Sequence, residues 1–484
     1  MTQTVDDTSW KMPKSRVIGL FTGLALFALT LVVPPPGGLD GSAWAALGLM
    51  MLMAAWWATE AIPIPATSLL PIVLIPALGL GTVTDATVPY ANPIIFLFLG
   101  GFTLGLAMQR WNLHRRIALH ILLLVGTSPR RQIAGFMVAT AFLSMWVSNT
   151  ATAIMMLPIG LSVLSMVHAP DDESRRRFGV ALLLAIAYSA SVGGIATLIG
   201  TPPNALLAAY LSDQQDIPLG FAQWMIIGVP VAALMLLVIW WWLSRRDFGI
   251  GASAGAGEAI RDELRSLGPM GKAEIRVATL FGLTAAAWIC RPLLSGTLPW
   301  LSDTVIAIFA AVLLFILRSG QRDGNALMDW DSARDLPWGV LLLFGGGLAL
   351  AGVISSSGLA DAIAESLSSL ETLPMLLMVG LVVAVIIFLT EVTSNTATAA
   401  AFLPLLGALA VGQGISPVLL TVPAAIAASC AFMMPVATPP NAIVFGSGYM
   451  AISDMIRAGF VLNLIGIVLV TLLGYLLMGV AFTV

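Results

Sequence analysis

The sequence predicts an all-α polytopic membrane protein with eleven transmembrane helices plus two re-entrant hairpins, arranged as an inverted-topology repeat. Three observations carry this. Of 484 residues, 58% are hydrophobic and only 10% charged, well under the quarter usual in a water-soluble domain, and the mean hydropathy is +0.96. Apolar stretches of about 20 residues, the length a helix needs to cross a bilayer, recur along the chain. Three polar motifs occur twice in the same order.

The N-terminal segment mixes Asp6 and Asp7 with Lys11, Lys14 and Arg16, and the apolar run 17–33 that follows stops at Pro34, Pro35 and Pro36. It reads as a first transmembrane helix rather than a cleaved signal. Further spans are read at 42–60, 64–82, 92–110, 178–210, 221–244, 273–291, 301–318, 335–356, 416–447 and 455–483. Two stretches, 132–167 and 373–411, are too long for one crossing and are broken midway by polar residues. Each reads either as two spans or as a hairpin that enters and leaves on one side.

Basic residues decide between these options. With both stretches re-entrant and the N-terminus cytoplasmic, every Lys and Arg of the 22 except Arg291 falls inside, as the positive-inside rule requires, and the C-terminus lies outside. The chain then divides into residues 1–41 (N-terminal segment and first helix), 42–244 (first repeat unit), 245–272 (cytoplasmic linker) and 273–484 (second unit). The linker's Gly/Ala-rich stretch 249–257 leads into a charged segment around Arg261 to Arg276 that reads as a short amphipathic helix with a solvated face.

The repeat is visible residue by residue. Leu99-Gly100-Gly101 recurs as Phe344-Gly345-Gly346. The segment from Ser144 through Ser148-Asn149-Thr150 to Thr152 recurs from Thr390 through Ser394-Asn395-Thr396 to Thr398, and Thr201-Pro202-Pro203-Asn204 recurs as Thr438-Pro439-Pro440-Asn441. The separations are 245, 246 and 237 residues. Each unit holds three spans, a hairpin and two more spans; five crossings is an odd number, so the second copy sits upside down. The two hairpin tips should then meet near the bilayer midplane, where inverted-repeat transporters bind substrate.

Thr-Pro-Pro-Asn inside a long apolar span breaks the helix, because two prolines remove two amide donors and clash with the preceding turn. Unwound backbone at membrane depth is tolerated only when buried in protein or facing a wet cavity, and the carbonyls freed at Gly200 and Ala437 would suit sodium. The two Ser-Asn-Thr triplets offer oxygens to a hard cation and amide or hydroxyl donors to an anion. At a hairpin tip they also begin a helix, whose unpaired amides and positive dipole end attract negative charge. No Lys or Arg adjoins either motif in sequence, so a buried dianion would need co-bound cations, which is a physical basis for coupling.

Other candidates have plainer readings. Glu391, the one acid inside a motif, reads as a hydrogen-bonded support, since the first copy has Met145 there. Glu60 is expected at the membrane interface, His114, His120 and His168 at the surface, and Trp56, Trp57 and Trp240 to Trp242 as interfacial anchors. Cys290 and Cys430 form no metal or disulfide pattern. An enzyme is disfavoured, since there is no HExxH, no GxSxG and no pair of intramembrane acids, and Gly268-Pro269-Met270-Gly271-Lys272 lacks Walker A spacing. The near-balanced charge, net -3, points to no nucleic-acid partner.

On the paired Ser-Asn-Thr and Thr-Pro-Pro-Asn motifs, Phe98-Leu99-Gly100-Gly101, and the run from Met108 to His114, the sequence resembles the divalent anion/sodium symporter family over nearly its whole length. The resemblance implies one sodium held by Ser144, Ser148, Asn149 and the Gly200 carbonyl, and a second by Thr390, Ser394, Asn395 and the Ala437 carbonyl. Substrate carboxylates would meet Asn149, Thr150, Asn395 and Thr396, with Thr201, Pro202, Thr438 and Pro439 completing the site. It also implies a homodimer in a bacterial cytoplasmic membrane, in which a transport domain (about 132–244 and 373–484) slides as an elevator against a scaffold (about 15–131 and 273–372). The expected activity is sodium-coupled symport of a C4 dicarboxylate (succinate, malate or fumarate), with sodium as coupling ion and no organic cofactor. A sodium-independent dicarboxylate exchanger and a symporter of sulfate or tricarboxylate are the alternatives on the same fold.

Overall fold

The computed structural model describes residues 13–482 apart from 38, 127, 246, 252–253, 322–323 and 367–372, so the expectations placed on Asp6, Asp7, Lys11, Arg246 and Arg322 lie outside the described residues. Among the described residues the fold is helical throughout, with one isolated bridge pair, Arg318 with Ala326. Ten helices among the described residues are long and apolar enough to cross a membrane.

Helix α1 (Lys14–Val32) follows Pro13 and ends before the triple proline, and α2 (Gly41–Thr59) packs along it. Trp56 and Trp57 do not anchor at an interface. Trp56 Nε1 donates to Leu20 O at 3.2 Å across the α1–α2 contact, and the fully buried Trp57 donates to Ser68 Oγ at 3.1 Å. The expected span 64–82 is broken into two short helices, α3 (Ile64–Thr67) and α4 (Leu70–Ala77), with Pro65 and Pro71 each in a first turn, where a missing amide costs no hydrogen bond.

The chain continues through α5 (Val83–Thr87), a 3-10 turn (Val88–Ala91) and α6 (Pro93–Arg110). Asn112, with φ of 56°, turns it into α7 (Leu113–Val125), an amphipathic helix between the expected span 92–110 and the stretch 132–167. The first polar hairpin is α8 (Pro129–Ser144) and α9 (Asn149–Met166), followed by α10 (Asp172–Ile195), α11 (Pro202–Gln215) and α12 (Phe221–Ser244). The linker helix α13 (Ala254–Ser266) packs on α7 and α9, with Arg115 paired to Glu263.

The second half has α14 (Lys272–Leu294), α15 (Asp303–Ile316), α16 (Trp338–Ser356) and α17 (Leu359–Ser366), then the hairpin α18 (Met375–Thr390) and α19 (Asn395–Gly412). It closes with α20 (Val418–Ala427), α21 (Pro439–Phe445) and α22 (Ile452–Ala481). The stretches 178–210 and 416–447 are therefore each two helices, α10–α11 and α20–α21, parted by unwound chain just before a Thr-Pro-Pro-Asn motif. The halves meet through Phe98 and Phe344, whose rings stand edge to face with centroids 5.1 Å apart.

Both unwound stretches are gripped in the same way. A Cβ on Gly228 of α12 would fall 2.5 Å from Ile195 O, and one on Gly459 of α22 would fall 2.1 Å from Phe432 O, so only glycine lets these helices lie against the exposed carbonyls. The motif asparagines tie the same backbone from the other side. Asn204 Nδ2 donates to the carbonyls of Gly194, Ile195 and Thr197, and Asn441 Nδ2 to those of Ala431 and Met434.

Candidate functional site

One cavity of about 980 Å³ collects the polar motifs of both halves. It is lined by Ser148, Asn149, Thr150, Gly200, Thr201 and Pro202 from the first half and by Ser394, Asn395, Thr396, Ala437, Thr438 and Pro439 from the second. Helices α9, α11, α19 and α21 all begin at these residues, so four N-termini face it. Each presents the positive end of its dipole, a partial charge of about +0.5, and α9 and α19 add backbone amides, whereas α11 and α21 open on Pro202-Pro203 and Pro439-Pro440, which carry none; the set suits an anion without a cationic side chain in contact.

Ser144 and Thr390 do not line the cavity; they stand fully buried behind the two asparagines. Ser144 Oγ lies 2.6 Å from Asn149 Oδ1 and 2.5 Å from Ala190 O, and Thr390 Oγ1 lies 2.7 Å from Asn395 Oδ1 and 3.1 Å from Ala428 O. In the first half the Gly200 carbonyl joins this group. With its amide turned over, Asn149 reaches Gly200 O at 3.2 Å, Ser144 Oγ at 2.6 Å and Ala190 O at 3.1 Å. The asparagine end thus sits among oxygens only. A hard cation such as sodium, or an amide donor, fits such a set.

Gly194, which the sequence reading passed over, makes this cluster possible. A Cβ there would lie 2.8 Å from both Asn149 Oδ1 and Gly200 O, so the position stays bare for the oxygens to converge. The two unwound stretches touch one another, with Thr201 Oγ1 3.4 Å from Ser429 Oγ, and Tyr188 OH donates to Phe432 O at 2.7 Å.

Glu391 stands apart from the cavity lining and is 3% exposed. Its carboxylate accepts from the backbone amides of Phe432, Met433 and Met434 at 2.7–3.0 Å and from Asn463 Nδ2 at 2.7 Å. It pins the unwound stretch of the second half to α22. The first half, with Met145 at that position, holds its unwound stretch by Thr197 Oγ1 to Met145 O (2.5 Å) and Trp224 Nε1 to Ile195 O (2.8 Å).

One expectation needs correction and one gains detail. Glu60 lies at the end of α2, as expected, in the left-handed conformation (φ 48°), and it also lines the cavity, paired with Arg16 at 3.2 Å. Arg16 lines it as well, so a fixed positive charge does reach the space the motifs enclose, contrary to what their sequence surroundings suggested. Among the described residues it is the one Lys or Arg in that lining, and it lies at the end where α1 begins and α2 finishes. No signal near the motifs could have shown this, because the contact is made in three dimensions by a helix more than a hundred residues away.

The cavity is unequal at its two ends. Val392 and Val436 are 65% and 77% exposed, whereas the residues at the matching positions of the first half, Trp146 and Ile199, are 8% and 5% exposed. Trp146 is packed against Phe221 and Phe281.

An all-helical, membrane-spanning fold whose broken helices and paired polar hairpins wall one cavity is that of a membrane transporter, not an enzyme. The chain belongs to the divalent anion/sodium symporter family, whose model, described as the sodium:sulfate symporter transmembrane region, matches residues 14–482. It is 44% identical to a protein named sodium-dependent dicarboxylate transporter SdcS from Staphylococcus saprophyticus, over 96% of this chain and 91% of that one. The same identity and coverage hold for SdcS of Staphylococcus aureus strain USA300. Among solved structures, the fold is similar to that of the YdaH transporter of Alcanivorax borkumensis (TM-score 0.56, 15% identity, 97% of this chain and 99% of that one). It is similar also to MtrF of Neisseria gonorrhoeae (TM-score 0.56, 11% identity, 96% and 95%).

Proposed function

We propose that this chain carries a C4 dicarboxylate such as succinate, malate or fumarate across the membrane together with sodium. The observation that supports this most is that two buried oxygen groups, Ser144 with Asn149 and the Ala190 and Gly200 carbonyls, and Thr390 with Asn395 and the Ala428 carbonyl, stand behind one cavity faced by four helix N-termini. In this reading one sodium ion would be held by Ser144, Ser148, Asn149 and the Gly200 carbonyl and another by Thr390, Ser394, Asn395 and the Ala437 carbonyl. The carboxylates would meet Asn149, Thr150, Asn395 and Thr396, bounded by Thr201, Pro202, Thr438 and Pro439. The names of the staphylococcal relatives agree with this substrate class.

Two sodium ions would balance a dianion, and an unpaired carboxylate is too costly to bury, so sodium arrives first and anion affinity depends on it. A third cation would add inward drive of about 2.3 kcal/mol per charge per 100 mV. In this reading the chain sits in a bacterial cytoplasmic membrane with its N-terminus inside and C-terminus outside, crossing eleven times with two re-entrant hairpins in inverted repeats. The cavity mouth at Arg16 and Glu60 is then the cytoplasmic one. The transport domain (about 132–244 and 373–484) slides against the scaffold (about 15–131 and 273–372) in a homodimer. The unequal exposure of Val392 and Val436 against Trp146 and Ile199 is what one of two alternating states requires; the other state reverses it.

The test is labelled succinate uptake into proteoliposomes under an inward sodium or potassium gradient, with and without internal succinate. Uptake that needs sodium and no internal substrate supports symport. Uptake that needs internal succinate and ignores sodium makes the protein an exchanger, and sulfate uptake without succinate uptake moves the substrate to the anion named in the family's description.

A further inference from the structure

A second pocket, of about 450 Å³, lies where the ends of α10, α12 and α22 meet, away from the substrate cavity. Four arginines line it, Arg176 and Arg177 of α10, Arg245 following α12 and Arg457 of α22, against two acids, Glu173 and Asp454. Both acids are already engaged. Asp454 takes Arg176 at 2.5 Å and caps α22 through the Ala451 amide at 3.0 Å, and Glu173 faces Arg176 and Arg177 at 4.0 Å. Arg245 stacks on the Trp242 ring, 3.4 Å from its centre, and neither Arg245 nor Arg457 has an acidic partner among the described residues. The pocket therefore carries a surplus of two positive charges over an aromatic and aliphatic floor.

Each free arginine also heads an apolar stripe. On α22, Val461, Leu464 and Val468 follow Arg457 at four-, seven- and eleven-residue spacing, and Leu464 and Val468 are exposed. On α12, Trp241, Leu237 and Leu234 precede Arg245 at four-, eight- and eleven-residue spacing, and all three are exposed. Exposed apolar faces on membrane-spanning helices suit hydrocarbon. A ligand matching both parts has a negative headgroup and hydrocarbon chains, which a soluble anion lacks.

We propose that this pocket binds the phosphate of an anionic phospholipid, with Arg245 and Arg457 contacting the headgroup and the acyl chains lying along α12 and α22. Basic pockets between helices at the membrane surface recognise lipid headgroups by this chemistry. The inference depends on membrane insertion alone and not on which substrate the cavity carries.

The test titrates the purified full-length protein in detergent with dioleoylphosphatidylglycerol and dioleoylphosphatidylcholine, reading bound lipid by native mass spectrometry. The unmodified protein should prefer phosphatidylglycerol. Arg245→Gln with Arg457→Gln should reduce that preference by roughly 30-fold, and Arg245→Lys with Arg457→Lys should keep most of it. Equal binding of the two lipids by the unmodified protein overturns the proposal, a result that needs no variant to fold. So does an unchanged preference in the glutamine variant. Inorganic phosphate displacing phosphatidylglycerol at equal concentration would assign the pocket to a soluble anion instead.

Discussion

Ser144 Oγ stands 2.6 Å from Asn149 Oδ1, and the same hydroxyl reaches Ala190 O at 2.5 Å, so one buried side chain joins the hairpin tip to the helix beside it. A hydrogen bond between neutral groups is worth about 0.5–1.5 kcal/mol. Ser144→Ala should therefore raise the sodium concentration for half-maximal uptake by about 2- to 10-fold, with maximal uptake at saturating sodium largely kept. Ser144→Thr, which copies Thr390, should stay closer to the parent. Sodium titrations of succinate uptake in proteoliposomes separate the two; equal sodium dependence in parent and Ser144→Ala would detach the hydroxyl from the cation site.

Asn149→Ala and Asn395→Ala remove the amide shared by cation and carboxylate. Sodium and succinate affinities should fall together, because each asparagine serves both ligands. A variant that loses succinate affinity and keeps its sodium dependence would show that the two sites do not share that residue.

Gly194→Ala tests the same cluster by filling it. The added methyl would lie 2.8 Å from the side-chain Asn149 Oδ1 and 2.8 Å from Gly200 O, and the second is a backbone atom that cannot swing aside. Sodium-driven uptake should fall to background while the protein still folds. Gly459→Ala, whose methyl would lie 2.1 Å from Phe432 O, should instead lower thermal stability, since it pushes α22 off the unwound stretch. Uptake and thermal unfolding of the two variants, measured side by side, distinguish a filled site from a displaced helix.

These glycines mark where sequence reading stops. The triplets and the Thr-Pro-Pro-Asn breaks were legible because polar residues and paired prolines inside apolar spans are costly, and their duplication excluded chance. Gly194 was not, since one glycine among 46 reveals its purpose only when the atom it would strike is known. Likewise Trp57 resembles any aromatic near a span end until its indole is seen donating to Ser68 inside the core. The interruption between α3 and α4 is written in Pro65 and Pro71, but the uniform hydrophobicity around them hides it. The Arg16–Glu60 pair depends on tertiary packing and left no local trace.

Glu391 holds four donors, and replacing it by glutamine keeps one oxygen while turning an NH2 group toward backbone N–H groups. At least one buried amide is then unpaired and two donors face each other. Glu391→Gln should cost about 2–4 kcal/mol, read as a lower unfolding temperature in detergent. Asn463→Ala, which removes a single donor, should cost less. Equal stability of Glu391→Gln and the parent would mean that the unwound stretch is held by its other contacts.

Arg16 bears on the entry and exit of charge. Its pair with Glu60 is about half exposed on both sides, 46% and 54%, so it adds at most about 1 kcal/mol to stability and Arg16→Gln should unfold at nearly the parent temperature. Its position in the cavity lining is what matters. A positive charge at the mouth of a low-dielectric space raises the local concentration of a dianion, and this effect is screened as the Debye length shortens from about 10 Å at 0.1 M salt to 3 Å at 1 M. Arg16→Gln should therefore weaken apparent succinate affinity a few-fold from the side the mouth faces at low ionic strength, and the difference should vanish at high choline chloride with sodium held constant. Glu60→Gln frees Arg16 from its partner and should shift affinity the opposite way. A salt-independent defect in Arg16→Gln would show that the side chain shapes the mouth rather than attracting the anion.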